Sequence, residues 1–314
     1  MPQAELGEVR KLWDEASHNA MTDLLYSPKG EWLCSFREGS EHISQGGRLR
    51  ILASPDGEDW TTASVLYSPG GDLRDPHLSV APDGRLALNA VVALPRKPGG
   101  HPPAPPPKHH QSLLWFSDNG RDWGERQEIG EPDFWLWRIS WHRAVAYSVG
   151  YLAGPLEEAR LYRSDDGQTF QQLVAPLFTE GQPNEATLLF LENDDALCVL
   201  RREGAPNTAL LGESRPPYTN WAWRDLGERI GGPHLICLPD GRLVVGSRLW
   251  DDGVPHTWLC LLDREQGSME RVLQLPSGGD TSYPGLVWHE GLLWVSYYSS
   301  HEGAAAIHLA KVRL

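Results

Sequence analysis

The chain has 314 residues, enough for one large domain or two ordinary ones, and a formal net charge of −14 at pH 7. That charge repels a phosphate backbone and no Lys/Arg stripe offsets it, so nucleic acid is excluded as a partner. No apolar run reaches the roughly 18 residues that membrane insertion needs, and the polar residues 1–10 lack the apolar core of a leader, so the expectation is a cytoplasmic protein, or a secreted one whose leader has been removed.

With 32 Gly and 25 Pro beside 14 Trp and 40% hydrophobic residues, the chain is rich in turns yet able to build a core. Apolar runs are short and bounded by Pro-Asp-Gly, Gly-Gly or Asn-Gly, the pattern of many short strands. In chain order, a turn precedes such a run at Pro28-Lys29-Gly30, Pro82-Asp83-Gly84, Glu192-Asn193-Asp194-Asp195, Pro239-Asp240-Gly241 and His289-Glu290-Gly291, with a weaker copy through residues 141–147. First strands lie upstream at 77–80, 187–191, 234–238 and 283–288, so the chain reads as six hairpins.

Three further loops fall between successive hairpins, at Ser54-Pro55-Asp56-Gly57, Ser117-Asp118-Asn119-Gly120 and Ser164-Asp165-Asp166-Gly167, each followed by an aromatic at Trp60, Trp123 or Phe170. A side-chain acceptor over backbone N–H groups, a glycine at positive φ and an aromatic plug account for that pattern. Repeated hairpins at this spacing predict an all-β, six-bladed β-propeller, residues 1–314 forming one domain. Seven prolines within residues 95–110 read as a surface loop. Cys34, Cys198, Cys237 and Cys260 sit in apolar runs without a C-x-x-C spacing and read as buried thiols. The twelve histidines show no ligand spacing, His101, His109 and His110 read as solvated loop residues, and neither metal nor cofactor is expected.

Seven residues beyond the turn glycine stand Arg37 and Arg248; the fourth hairpin gives Arg201 or Arg202, depending on which aspartate starts the count. These arginines fit an anion-binding cluster and fit equally a set of strand ends paired with surface acids. Glu185, Asp75 and Tyr283 lie upstream of hairpins. A carboxylate beside a tyrosine can take its proton and make it a nucleophile, whereas spacing alone favours Tyr283 as a packing aromatic.

These residues resemble the sialidases and the wider group of Asp-box, or bacterial-neuraminidase-repeat, proteins, over residues 12–314. The loop 164–170 looks like an Asp box, with Arg163 for the usual leading Ser; Phe116 takes that place in the second copy, and Pro55 stands where the family's Asp would fall in the first. Glu185, with Arg201 sixteen residues later, is similar to the family's activating Glu and its arginine; Ser282-Tyr283-Pro284-Gly285-Leu286 is similar to the nucleophile segment, and Arg248 stands where the last arginine of the carboxylate-binding triad would be.

The resemblance implies a retaining exo-glycosidase for a terminal, anionic sugar, with Tyr283 attacking the anomeric carbon and Glu185 receiving its proton. It also implies an acid, for which Glu41, His42 and Asp75 are the candidates, and carbohydrate as the partner. The family's Phe-Arg-Ile-Pro would fall near Asn19-Ala20-Met21-Thr22, where no arginine exists; Arg74-Asp75-Pro76 offers a replacement from the next blade. His18, Asp23, Arg37 and Arg74 complete the expected substrate contacts with Arg201 and Arg248, and the third blade is expected to supply mostly framework. A glycan-binding propeller without catalysis and a polysaccharide lyase are the alternative readings.

Overall fold

The computed structural model describes residues 4–94, 109–152 and 158–314. They form six antiparallel sheets, each with its first strand innermost. Blade one runs outward through His18–Tyr26, Trp32–Gly39, Arg48–Ser54 and Thr61–Leu66, and blade two through Asp72–Val80, Leu86–Ala93, His110–Ser117 and Gln127–Ile129. Blade three has a split inner strand, Phe134–Leu136 and Ser140–His142, before Val145–Leu152, Ala159–Ser164 and Gln171–Phe178. Blade four comprises Pro183–Phe190, Ala196–Arg202, Leu210–Ser214 and Ala222–Asp225; blade five comprises Gly231–Cys237, Leu243–Asp251, Val254–Asp263 and Ser268–Gln274. Blade six joins Thr281–His289, Leu292–Ser299 and Ala306–Arg313 to Glu5–Trp13 as its outermost strand. The six-bladed propeller read from the sequence is the fold observed.

The six hairpins are the inner two strands of each blade. Gly30, Gly84 and Gly241 have φ of 78°, 86° and 87° and donate N–H to Ser27 O, Ala81 O and Leu238 O. In blade four Asp194 takes the glycine's place, with φ of 67° and its N–H on Leu191 O. Counting from Asp194 therefore makes Arg201 the counterpart of Arg37 and Arg248. The three Asp-box-like turns share one acceptor position: Asp56, Asn119 and Asp166, each directly before the glycine, accept two backbone N–H groups at 2.6–3.2 Å. Pro55 therefore deprives the first turn of nothing. Phe170 is buried beneath its turn, while Trp60 and Trp123 are half-buried.

The core is six apolar layers between blades. Leu33, Leu49 and Ile51 meet Leu73, Leu88 and Leu113 between blades one and two, and the last layer stacks Trp32 on Trp294 at 4.3 Å between blades one and six. Each inner strand keeps one free edge, and at three of them a side chain of the preceding blade meets it. Asp23 accepts Leu78 N–H at 2.8 Å, Thr187 accepts Leu235 N–H at 3.3 Å and His234 accepts Leu286 N–H at 3.0 Å.

Three local expectations change. Cys34, Cys198 and Cys260 are buried but Cys237 is exposed, because it ends an inner strand; all four are free thiols. His110 opens a strand, half-buried against Trp135 with ring centroids 5.3 Å apart, and is not a loop residue. The proline-rich stretch lies outside the described residues from position 95 to 108. No helix among the described residues is long and apolar enough to cross a membrane.

Strand Glu5–Trp13 is the only N-terminal element in blade six, pairing with Ala306–Arg313. Deleting residues 1–13 should expose that edge and the apolar layer behind it. The expected result is loss of the cooperative thermal transition, followed by circular dichroism, rather than a shift of a few degrees.

Candidate active site

Five inner strands carry a bulge in which two residues oppose one: 21–22, 75–76, 184–185, 232–233 and 283–284. In blade three the same level is the break between its two inner segments. A bulge turns a side chain away from the ladder's alternation. At the first residue Met21, Asp75 and Tyr283 have φ of 61°, 49° and 50°, each costing roughly 1 kcal/mol or more for a residue with a Cβ. That strain is held by the neighbours, for Thr22 Oγ1 donates to Tyr283 O at 2.8 Å and Arg138 Nη2 to Pro284 O at 3.2 Å.

Tyr283 and Glu185, far apart in sequence, meet at these bulges. The Tyr283 hydroxyl donates to Glu185 Oε1 at 2.5 Å. Glu185 Oε2 accepts the Gly232 N–H at 2.7 Å and pairs with Arg201 Nη1 at 2.7 Å, and Arg201 Nη1 lies 3.3 Å from the Tyr283 hydroxyl. Gly232 is required here: a Cβ on it would lie 2.5 Å from the Tyr283 ring. Trp137 meets that ring edge-on at 5.6 Å and Arg248 lies over it at 5.1 Å.

Burial pushes the Glu185 carboxyl up, but the Arg201 charge and the bonds from Tyr283, Arg201 and Gly232 outweigh it and hold it below the usual carboxylate value. Burial and the Glu185 charge push the Tyr283 hydroxyl well above the usual phenol value, against Arg201 and Arg248. The pair is therefore an ionised carboxylate accepting a hydrogen bond from a neutral phenol.

The Asp75 charge acts on the Tyr283 hydroxyl. Burial pushes it up to about 7; Arg74 opposes and the Glu185 charge reinforces the rise. Its Oδ1 is buried with no hydrogen-bond partner. Glu41 is exposed and enters the region only through its carbonyl, which accepts Arg37 Nη1 at 3.1 Å, so its carboxylate does not stand in the expected acid position. His42 is exposed at the rim, with Nδ1 2.8 Å from Asp280 Oδ2.

The arginines are paired with the protein's own acids. Arg37 is fully buried, its Nε and Nη2 on the two oxygens of Asp72 at 2.8 and 3.0 Å, which corrects its placement as a substrate contact. Arg74 Nη1 bonds His42 O at 2.8 Å and Asp72 Oδ2 at 3.3 Å. Arg248 bonds Thr281 O and the Tyr298 hydroxyl at 2.8 and 2.9 Å and lies 3.7 Å from Asp280 Oδ1. Arg201 also pairs with Glu203, whereas Arg202 turns to Thr208 and Asp225, away from Tyr283.

Asp280 receives His18 Nε2 and His42 Nδ1 on Oδ2 and the Tyr298 hydroxyl on Oδ1, each at 2.8 Å; these bonds, against its burial, hold its carboxyl well below the usual range. His18, His42 and Asp280 bring ligand atoms within 4.8 Å of one another, a grouping their sequence spacing does not announce. Arg248 at 3.7 Å and Arg74 beside His42 set positive charge against a cation there.

Beneath the bulges Asp23 is buried and pairs with Arg138 at 2.9 Å, with His77 and His234 at 3.7 and 4.0 Å. Arg138 holds its carboxyl far below the usual value against burial, while burial and the Arg138 charge push His77 down to about 4 and His234 to about 3. Asp23 is thus part of the floor and not a substrate contact. Arg138 and Trp137 come from blade three, which therefore supplies more than framework. Sequence reading passed over Asp72, Arg138 and Asp280; the repeated Asp-x-x-x-Pro of residues 72–76 and 280–284 was the available signal for two of them.

Asp75 is protonated more readily folded than unfolded, so its contribution to stability is full below its ordinary value of 3.8 and is lost as pH rises towards about 7. Asp75→Asn should therefore be more stable than the parent by a margin that grows between about pH 4 and pH 7, reaches a few kcal/mol and then levels off. Denaturant melts of both proteins at pH 4 and pH 8 read this difference; an equal margin at both would place the Asp75 carboxyl in contact with water.

No family model matches the chain, and no curated protein matches it in sequence. Solved structures do. A protein of unknown function from Dyadobacter fermentans superposes with a TM-score of 0.88 at 19% identity, covering 100% of both chains. The α-L-arabinofuranosidase of Fusarium graminearum, solved as a mutant with an iminosugar inhibitor, gives 0.71 at 13% identity over 98% of both chains. The sialidase of Trypanosoma rangeli gives 0.70 at 14% identity, covering 94% of this chain and 55% of its own, so this chain spans about half that enzyme's length. At these identities what is shared is the fold, a six-bladed propeller also used by glycosidases.

Proposed function

We propose that the chain is a retaining exo-glycosidase with Tyr283 as nucleophile, Glu185 as its base and Asp75 as acid and then base. The observation that carries this is the 2.5 Å hydrogen bond from a buried tyrosine to an ionised carboxylate that Arg201 and Gly232 hold in place.

In the first step the Tyr283 oxygen bonds to the anomeric carbon while its proton passes to Glu185. The glycosidic bond breaks, and Asp75 gives its proton to the departing oxygen. In the second step a water gives a proton to Asp75 and its oxygen to the anomeric carbon. The tyrosine oxygen leaves and recovers its proton from Glu185. Arg201 and Arg248 beside the ring favour the negative charge that gathers on the phenolate when it departs.

The test is turnover of aryl glycosides, spanning sialosides, uronides and neutral sugars, by the full chain and three variants. Tyr283→Phe and Glu185→Gln should each lower kcat by at least about 1,000-fold. Asp75→Asn should cost about 100-fold or more in kcat/KM with a poor leaving group and little in kcat/KM with dinitrophenyl, which departs without a proton, while kcat falls with both because the second step loses its base. Activity on the poor leaving group should fall as pH rises through about 7, where Asp75 loses its proton. Equal activity of Tyr283→Phe and the parent removes the mechanism; no turnover of any glycoside favours glycan binding without catalysis.

A further inference from the structure

An arginine can grip a ligand carboxylate only through donors that the protein leaves open. Arg37 and Arg248, at matching places in blades one and five, each cross to the start of the next blade's inner strand. Arg37 meets Asp72 there, and Arg248 meets Thr281 O with Asp280 3.7 Å away. Asp72 and Asp280 each stand three residues before a bulge residue, Asp75 or Tyr283. The repeat makes Arg248, like the buried Arg37, a tie between blades. Arg74 is turned to Asp72 and Arg201 to Glu185 and Glu203, so each of these arginines already has a protein carboxylate beside it.

Two carboxyl groups of this region keep acceptor capacity. Asp75 has an unpaired buried Oδ1, and the Asp280 side chain is 30% exposed beside the exposed His42. Tyr151, whose hydroxyl feels the charges of Glu185 and Asp75, is half-buried and stacks on Trp135 at 5.9 Å. Sugar hydroxyls donate to carboxylates, and the C–H face of a sugar lies on an aromatic ring. Departure of the leaving group makes the anomeric carbon positive, which nearby carboxylates favour. A ligand carboxylate arriving at Arg248 would instead meet Asp280.

On the glycosidase reading above, we infer that the substrate is a neutral terminal sugar, its hydroxyls received by Asp75 and Asp280, and that carboxylated sugars are excluded. This departs from the anionic sugar expected from the sequence.

Saturation-transfer NMR and titration of the full chain with matched ligands tests it: methyl glucoside, galactoside and arabinofuranoside against methyl glucuronide, galacturonide and the methyl glycoside of N-acetylneuraminic acid. The expected result is that a neutral sugar binds at least about tenfold more tightly than every carboxylated one. In Asp280→Asn, folded by circular dichroism, that preference should narrow about tenfold, because the negative charge 3.7 Å from Arg248 is removed. Tighter binding of any carboxylated sugar, binding of none, or an unchanged preference in folded Asp280→Asn overturns the inference. Binding of a neutral sugar that is never hydrolysed upholds the ligand class and refutes the glycosidase. Sialoside turnover that is lost in Tyr283→Phe does the reverse.

Discussion

Six strands that meet around an axis each keep one edge without a ladder partner, and the side chains that satisfy those edges decide what is left for chemistry. Asp23, Thr187 and His234 serve the neighbouring strand's N–H groups, so they are unavailable to a ligand although they stand at the centre. Thr22 and Arg138 take the carbonyls of Tyr283 and Pro284 in the same way. The floor is thus a polar layer tied to the strand edges, and the residues of the bulges stand above it.

Charge follows the same economy. Burying an arginine without a partner is costly, so blade junctions that carry Arg37 and Arg248 also carry Asp72 and Asp280. The completeness of the pairing decides which way titration moves. Asp75 has Arg74 near it but an unbonded oxygen, and burial lifts it to about 7; Glu185 has Arg201, Gly232 and Tyr283, and stays ionised. Two carboxyls in one cup are thereby separated into a proton donor and a proton acceptor.

The architecture was legible because turns repeat: Gly30, Gly84 and Gly241 announce their hairpins, and Asp56, Asn119 and Asp166 announce the outer turns. Glu185, Arg201 and Tyr283 were legible by resemblance, and the structure places them in contact. Asp23 and Arg37 misled because a polar residue at an inner position looks the same in sequence whether it serves a ligand or a strand edge. Arg138 escaped notice because blade three breaks its inner strand, and the break disguises its alignment with the other blades. Glu41 failed as an acid because its loop presents a carbonyl inward.

Blade six is completed by strand Glu5–Trp13, and Tyr283 belongs to that blade while Glu185 belongs to blade four. During synthesis the first strand has to wait for Ala306–Arg313 to emerge before its edge is covered. The tyrosine takes its place against the glutamate only as the ring shuts. A truncated or half-folded chain therefore holds a strand edge able to pair with another molecule, but no assembled pair of reacting groups. Ring closure and competence are thus linked, and the same junction is where misassembly between chains would begin.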